Sequence, residues 1–257
     1  MRALITGASS GLGRDLAIKL SKKGYELVLI SRDKKALEKV KKDCETEVTL
    51  YEADVSSAES CIKIHEKFKD IDLLINNAGF GLFGETCNTS LDKELNMIDV
   101  NVKAVHILTK LYLIDMIEKD SGRILNVASI AAFPPGPLMN TYYSTKSYVF
   151  KFTTAIYEEL RRRGSSVKIS VLCPGPFNTN FNNVAGVKFS LKGKSCDYVS
   201  SYSIKGLFKN KLVIIPGFIT KVGYFLTKIT PLKLLLKIDY NMQRKKDKKW
   251  RKVKVLR

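Results

Sequence analysis

Tyr142 and Lys146 stand four residues apart in Tyr142-Tyr143-Ser144-Thr145-Lys146. On a helix that spacing puts both side chains on one face. An ammonium beside a phenol favours the phenolate. The pair is therefore expected to bring the phenol from its ordinary pKa of about 10 towards the working range of a general acid or base. Tyr143 forms no rival pair, because Ser147 stands four residues after it. Tyr and Lys fall four apart in many chains, so the meaning of the pair rests on its company. Ser129 lies thirteen residues upstream, just past an apolar run, Arg123 to Ala128, that reads as a strand. Ligands of open α/β sheets bind outside the carboxyl ends of strands, which places Ser129 to face one. Asn101 falls inside a helical stretch from Asn96 to Lys119. Asparagine is mildly unfavourable there, so it either points at solvent or holds a distortion and an ordered water.

A second chemistry sits at the start of the chain. Gly7-Ala-Ser9-Ser10-Gly11-Leu12-Gly13 follows the strand Arg2 to Thr6 and precedes Leu16, Ala17 and Leu20 at helical spacing. A glycine-rich turn between strand and helix lets a pyrophosphate approach the backbone, and the helix N-terminus offers free N–H groups and a positive dipole end. The alternative is an ordinary strand–helix loop. The second strand, Glu26 to Ser31, ends at Ser31-Arg32-Asp33. An acid at that position suits the ribose of NAD and an Arg suits the 2′-phosphate of NADP, so Arg32 favours NADP(H) while NAD(H) stays open. Asp33 either competes with that preference or caps the helix from Lys34. Asp54-Val55, after the strand Val48 to Glu52, reads as a contact to the adenine amine or as a plain helix entry. Asn76-Asn77-Ala78-Gly79, after the strand Ile71 to Ile75, allows close approach to an adenosine or forms a simple turn.

These residues need a scaffold, and the pattern supplies one. A further strand, Val167 to Leu172, follows a helix that carries Tyr142 and stops at Arg161-Arg162-Arg163-Gly164. Strands alternating with helices, with no internal repeat, predict a Rossmann-type α/β fold: a doubly wound parallel sheet with helices on both faces.

Taken together, Thr6-Gly7-x-x-x-Gly11-x-Gly13, Asn76-Asn77-Ala78-Gly79, Asn101, Ser129, Tyr142-x-x-x-Lys146 and Pro174-Gly175 with Thr179 resemble the short-chain dehydrogenase/reductase family over about residues 1–180. The resemblance implies that Tyr142 gives or takes the proton at a substrate oxygen while Ser129 hydrogen-bonds that oxygen. It implies that Lys146 lowers the Tyr142 pKa and binds the nicotinamide ribose, and that Asn101 holds a water leading to solvent. Pro174, Gly175 and Thr179 would fix the carboxamide. The implied activity interconverts a ketone or aldehyde with its alcohol, in a dimer or tetramer paired through the helices of Asn101 and Tyr142. A nucleotide-binding sensor or membrane-associated binding protein without turnover is the alternative.

Composition narrows the rest. The five cysteines are scattered, with no C-x-x-C spacing, and the two histidines are far apart. A metal site, a disulfide framework or a His-based triad is not expected, and a cytoplasmic setting is. Met1 and Arg2 lead straight into Ala3-Leu4-Ile5, so no signal peptide is expected. The net charge of +19 is lopsided: residues 180–257 hold 19 basic and 3 acidic side chains. Residues 1–216 are expected to form the catalytic domain, with a substrate lid over 180–210, a helix from Cys196 to Lys209 and a last strand from Lys211 to Pro216. Residues 217–257 form a basic amphipathic extension that ends in nine Lys or Arg between Arg244 and Arg257. Three readings compete for that extension: packing over the cleft or a subunit partner, attachment to an anionic membrane surface, and nonspecific nucleic-acid binding, which is the least favoured.

Overall fold

The computed structural model describes residues 1–177 and 194–245. Thr179, the segment between it and Lys194, and the basic run after Lys245 lie outside the described residues. Seven strands form one parallel sheet in the order 3-2-1-4-5-6-7. They are β1 (Arg2–Thr6), β2 (Glu26–Ser31), β3 (Val48–Glu52), β4 (Leu73–Asn76), β5 (Arg123–Val127), β6 (Lys168–Leu172) and β7 (Val213–Ile214). The order reverses between β1 and β4, the switch point at which such sheets open a crevice. β7 is shorter than the run Lys211 to Pro216 because only Val213 and Ile214 find partners, on Val171 and Leu172.

Both faces of the sheet are covered, which is why its strands read as near-continuous apolar runs. Side chains alternate sides along a strand. Ala3 and Ile5 of β1 therefore pack under α1 (Gly11–Ser21), α2 (Lys34–Lys42) and α7 (Cys196–Phe208), through Leu16, Leu37 and Val199. Leu4 packs on the opposite side with α3 (Ala58–Lys67), α5 (Ala104–Glu118) and α6 (Asn140–Arg163), through Ile64, Leu108 and Ile156. Gly164 ends α6 in the left-handed conformation (φ 70°), which glycine adopts without a Cβ clash.

The stretch predicted as one helix from Asn96 is divided. α4 (Leu91–Ile98) runs into a π-turn at Asp99–Lys103 before α5 begins. The wider turn lets both Val100 and Asn101 point inward, where they are buried. Beyond β7 the chain forms α8 (Phe218–Ile229) and α9 (Leu232–Arg244), which lie beside the site loops.

Candidate active site

The glycine turn and the turn after β4 are laced together. Thr6 Oγ1 accepts the N–H groups of Asn77 and Ala78 at 3.0 and 3.1 Å. Asn77 Nδ2 returns bonds to the carbonyls of Thr6 and Gly7 at 3.1 and 3.0 Å. This close packing needs glycine. A Cβ on Gly7 would lie 2.8 Å from Ala78 Cα, and one on Gly13 would lie 2.3 Å from the Gly7 carbonyl. The first turn of α1 holds no acid, and Ser10 makes no capping bond there. Leu12 and Val55 turn their side chains into the two halves of the core, so only their backbone remains for a ligand.

At the end of β2, Ser31 Oγ donates to Ser9 Oγ at 2.9 Å. Asp33 caps α2, its Oδ1 accepting from Ala36 N at 2.9 Å. The acid that complicated the reading of Arg32 is thereby turned away into a helix end. The Arg32 guanidinium is exposed and lies 3.7 Å from Asp54. Burial alone would raise the Asp54 pKa, but hydrogen bonds from Ser56 and the Arg32 charge hold it below the usual carboxylate value.

The π-turn delivers Asn101 to the other half of the site. Its amide clasps one residue of the β4 loop from both sides: Nδ2 donates to the Phe80 carbonyl at 2.9 Å and Oδ1 accepts Phe80 N at 3.1 Å. Nδ2 also reaches Thr145 Oγ1 at 3.1 Å, inside the Tyr142–Lys146 turn. A Cβ on Gly79 would lie 3.0 Å from Asn101 Oδ1 and 3.2 Å from Lys146 Nζ.

Tyr142 and Lys146 share a buried face of α6, with Lys146 Nζ 5.9 Å from the Tyr142 ring centroid. Tyr142 faces the Ser129 hydroxyl, whose Oγ accepts from Ala131 N at 3.1 Å. Lys146 Nζ donates to the Val127 carbonyl at 2.9 Å. The expected lowering of the phenol pKa does not appear. Burial raises Tyr142 to about 12, with the Ser129 hydroxyl pulling the other way, and burial lowers Lys146 to about 8. Desolvation disfavours both charged forms, and it is the largest cause at each.

Pro174 and Gly175 follow β6 beside Ser129, and the Pro174 carbonyl accepts Ile130 N at 3.0 Å. The sequence had not pointed to Cys173, and packing of the C-terminal extension over the cleft was expected without the residues that make it. Cys173 is buried facing Lys146 and Ser129, and burial pushes its thiol up. On α9, Asp239 Oδ2 accepts Gly136 N at 2.9 Å, and Gln243 Nε2 donates to Tyr143 Oη. One signal was present: Asp239 is the single acid between Gly217 and Lys245, with Gln243 one helical turn on. The histidines serve elsewhere, His65 on Asp115 and His106 on Tyr148, each at 2.7 Å.

Known proteins resemble this chain in family and fold. The family model described as short chain dehydrogenase matches residues 1–187. An uncharacterized oxidoreductase of Staphylococcus epidermidis is 32% identical over 181 residues, which is 69% of this chain and 78% of the relative. A short-chain dehydrogenase from Sphingobium yanoikuyae in complex with NADPH superposes with a TM-score of 0.79 at 24% identity, covering 90% of this chain and 96% of its own. A short chain dehydrogenase/reductase from Burkholderia phymatum in complex with NAD gives 0.78 at 25% identity, covering 88% and 92%.

Proposed function

Since the chain belongs to the short-chain dehydrogenase/reductase family, we propose that this oxidoreductase uses NADP(H) to interconvert a ketone or aldehyde with its alcohol. The carrying observation is the Tyr142 phenol facing the Ser129 hydroxyl beside the buried Lys146. Related folds hold NADPH in one case and NAD in another. The choice of NADP(H) therefore rests on Arg32, exposed at the end of β2 with Asp33 committed to its cap.

The residues fit a dinucleotide: the turn at Gly7 and Gly13 has no room for a Cβ, and the helix N-terminus it leads into carries no acid and no side-chain cap. Gly7 to Gly13, with Ser9 and Ser10, would take the pyrophosphate at the α1 N-terminus. Arg32 would take the 2′-phosphate, Asp54 and Val55 the adenine, and Asn77, Ala78 and Gly79 the adenosine. Lys146 would bind the nicotinamide ribose, and Pro174, Gly175 and Thr179 the carboxamide. When bound, the nicotinamide supplies or accepts the hydride.

The protein supplies orientation and the proton. In reduction, Tyr142 gives its phenol proton to the substrate oxygen, and Ser129 hydrogen-bonds the alkoxide as charge develops there. In oxidation the same proton returns to Tyr142. Lys146 favours the phenolate only while charged, which in the free protein means below about pH 8. Asn101 positions Lys146 through Thr145 and the β4 loop, and a water beside it would lead protons to solvent. We take the active form to be a homo-oligomer paired through α4, α5 and α6, whose outer faces expose Leu95, Ile98, Ile114 and Tyr148. The reading places the enzyme in the cytosol, where its thiols stay reduced.

The test is NADPH and NADH oxidation against short, long-chain and polycyclic carbonyls. Turnover of one group with NADPH supports the reading. Tight NADPH binding with no turnover across the panel replaces it with a nucleotide sensor.

A further inference from the structure

Helix α8 is built inside out. Thr220, Tyr224 and Thr227 turn towards the protein, while Phe218, Ile219, Val222, Phe225, Leu226 and Ile229 are exposed. Phe218 and Ile219 keep 80% and 86% of their surface in solvent, and no residue of the helix is buried. The inward contacts are specific, so the orientation is not arbitrary. The Tyr224 ring lies 4.3 Å from that of Phe133, and Thr220 Oγ1 abuts Gly175. α9 repeats the arrangement: Asp239 and Gln243 are buried on the inner face, while Leu234, Ile238 and Met242 point outward one turn apart. Exposed large apolar side chains scattered singly are ordinary, but a contiguous patch marks an interaction surface.

Charge identifies the partner. Between Gly217 and Lys245 stand Lys221, Lys228, Lys233, Lys237, Arg244 and Lys245, against one acid, Asp239, which is buried. Lys221 and Lys228 flank the apolar stripe, over the rings of Tyr202 and Tyr224. An apolar stripe bordered by lysines is the pattern of a helix lying in the headgroup region of an anionic bilayer. Among the described residues no helix is long and apolar enough to cross a membrane. We propose that α8 and α9 form a docking face for an anionic lipid surface, with the apolar side chains entering the bilayer and the lysines meeting its headgroups. The docking face thus lies in the folded pair α8–α9, and it borders the loops of Phe133, Gly136 and Gly175.

Sedimentation with phosphatidylcholine vesicles, with and without phosphatidylglycerol, tests this on the full chain. The wild type is expected to bind the phosphatidylglycerol vesicles. The double variant Phe225→Glu, Ile229→Glu should bind them at least about tenfold more weakly, with NADPH affinity unchanged. A form ending at Lys245 keeps Asp239 and Gln243 in place and should retain vesicle binding that resists salt. No vesicle binding by the wild type, or equal binding by the double variant, overturns the proposal. So does loss of all binding in the form ending at Lys245. Light scattering on the same samples covers the remaining case: a wild-type oligomer that the double variant dissolves, without a change in vesicle binding, would assign the face to a second copy of the chain.

Discussion

Gln243 donates its side-chain amide to the Tyr143 hydroxyl, one hundred residues earlier in the chain. Tyr143 is the neighbour of Tyr142, so α9 is tied to the turn that carries the proposed proton donor. Asp239, one helical turn before Gln243, holds the backbone of Gly136 in the loop leading into α6. Gly136 has φ of 70° and packs against the Tyr143 ring, so a side chain there is excluded on two counts.

Gln243→Ala should therefore act on geometry as well as on stability. Leaving a buried polar partner unsatisfied costs about 1–3 kcal/mol, measurable by urea unfolding. Turnover should fall several-fold with NADPH affinity unchanged. A stability loss with kcat intact would reduce the contact to a structural one.

Tyr142→Phe keeps the ring and removes the proton. Turnover should fall at least about 100-fold, the lower range for a lost general acid, while fluorescence titration finds NADPH binding nearly unchanged. Activity close to wild type would remove Tyr142 from the mechanism.

Arg32→Ala should separate the two cofactors. The guanidinium is exposed and, among the described residues, pairs only with Asp54, so its removal should leave the fold intact. The Kd for NADPH should rise about tenfold, the size of one charge-assisted phosphate contact of roughly 1.5 kcal/mol, with that for NADH almost constant. Equal losses for both would place the 2′-phosphate elsewhere.

Lys146 makes a prediction about pH. Its folded pKa, about 8, lies below its ordinary 10.5, so the unfolded chain binds more protons between those values. Stability contributed by this group therefore rises with pH across that window, and the cost of burying the charge is fully present below about pH 8. The shift corresponds to roughly 3 kcal/mol. Lys146→Met should thus be more stable than wild type at pH 7, and the difference should shrink towards pH 10. A difference that stays constant with pH would mean that the ammonium is not buried as described.

Much of this protein was legible residue by residue. The bounds of β1, β2 and β3 follow from apolar runs ended by Gly, Asp or charged residues. The end of α6 follows from Gly164, and the capping role of Asp33 from its place before Lys34. These signals are local: backbone propensity, periodicity and turn chemistry act over a few residues. The glycine turn and the Tyr142–Lys146 spacing are equally local, which is why the chemistry could be read first.

Other features depend on which distant parts of the chain meet. Asn101 sits in a π-turn because Phe80 and Thr145 offer its amide partners, and nothing between Asn96 and Lys119 encodes them. The spacing of Tyr142 and Lys146 suggested a lowered phenol pKa because it could not weigh burial, which raises it. Sequence spacing brings two groups together, whereas desolvation is set by everything packed around them. The inverted faces of α8 and α9 are of the same kind. The sequence by itself determined an α/β fold, a dinucleotide turn and an acid–base pair. Only the tertiary structure decided how dry that pair is, and which sides of the last two helices face water.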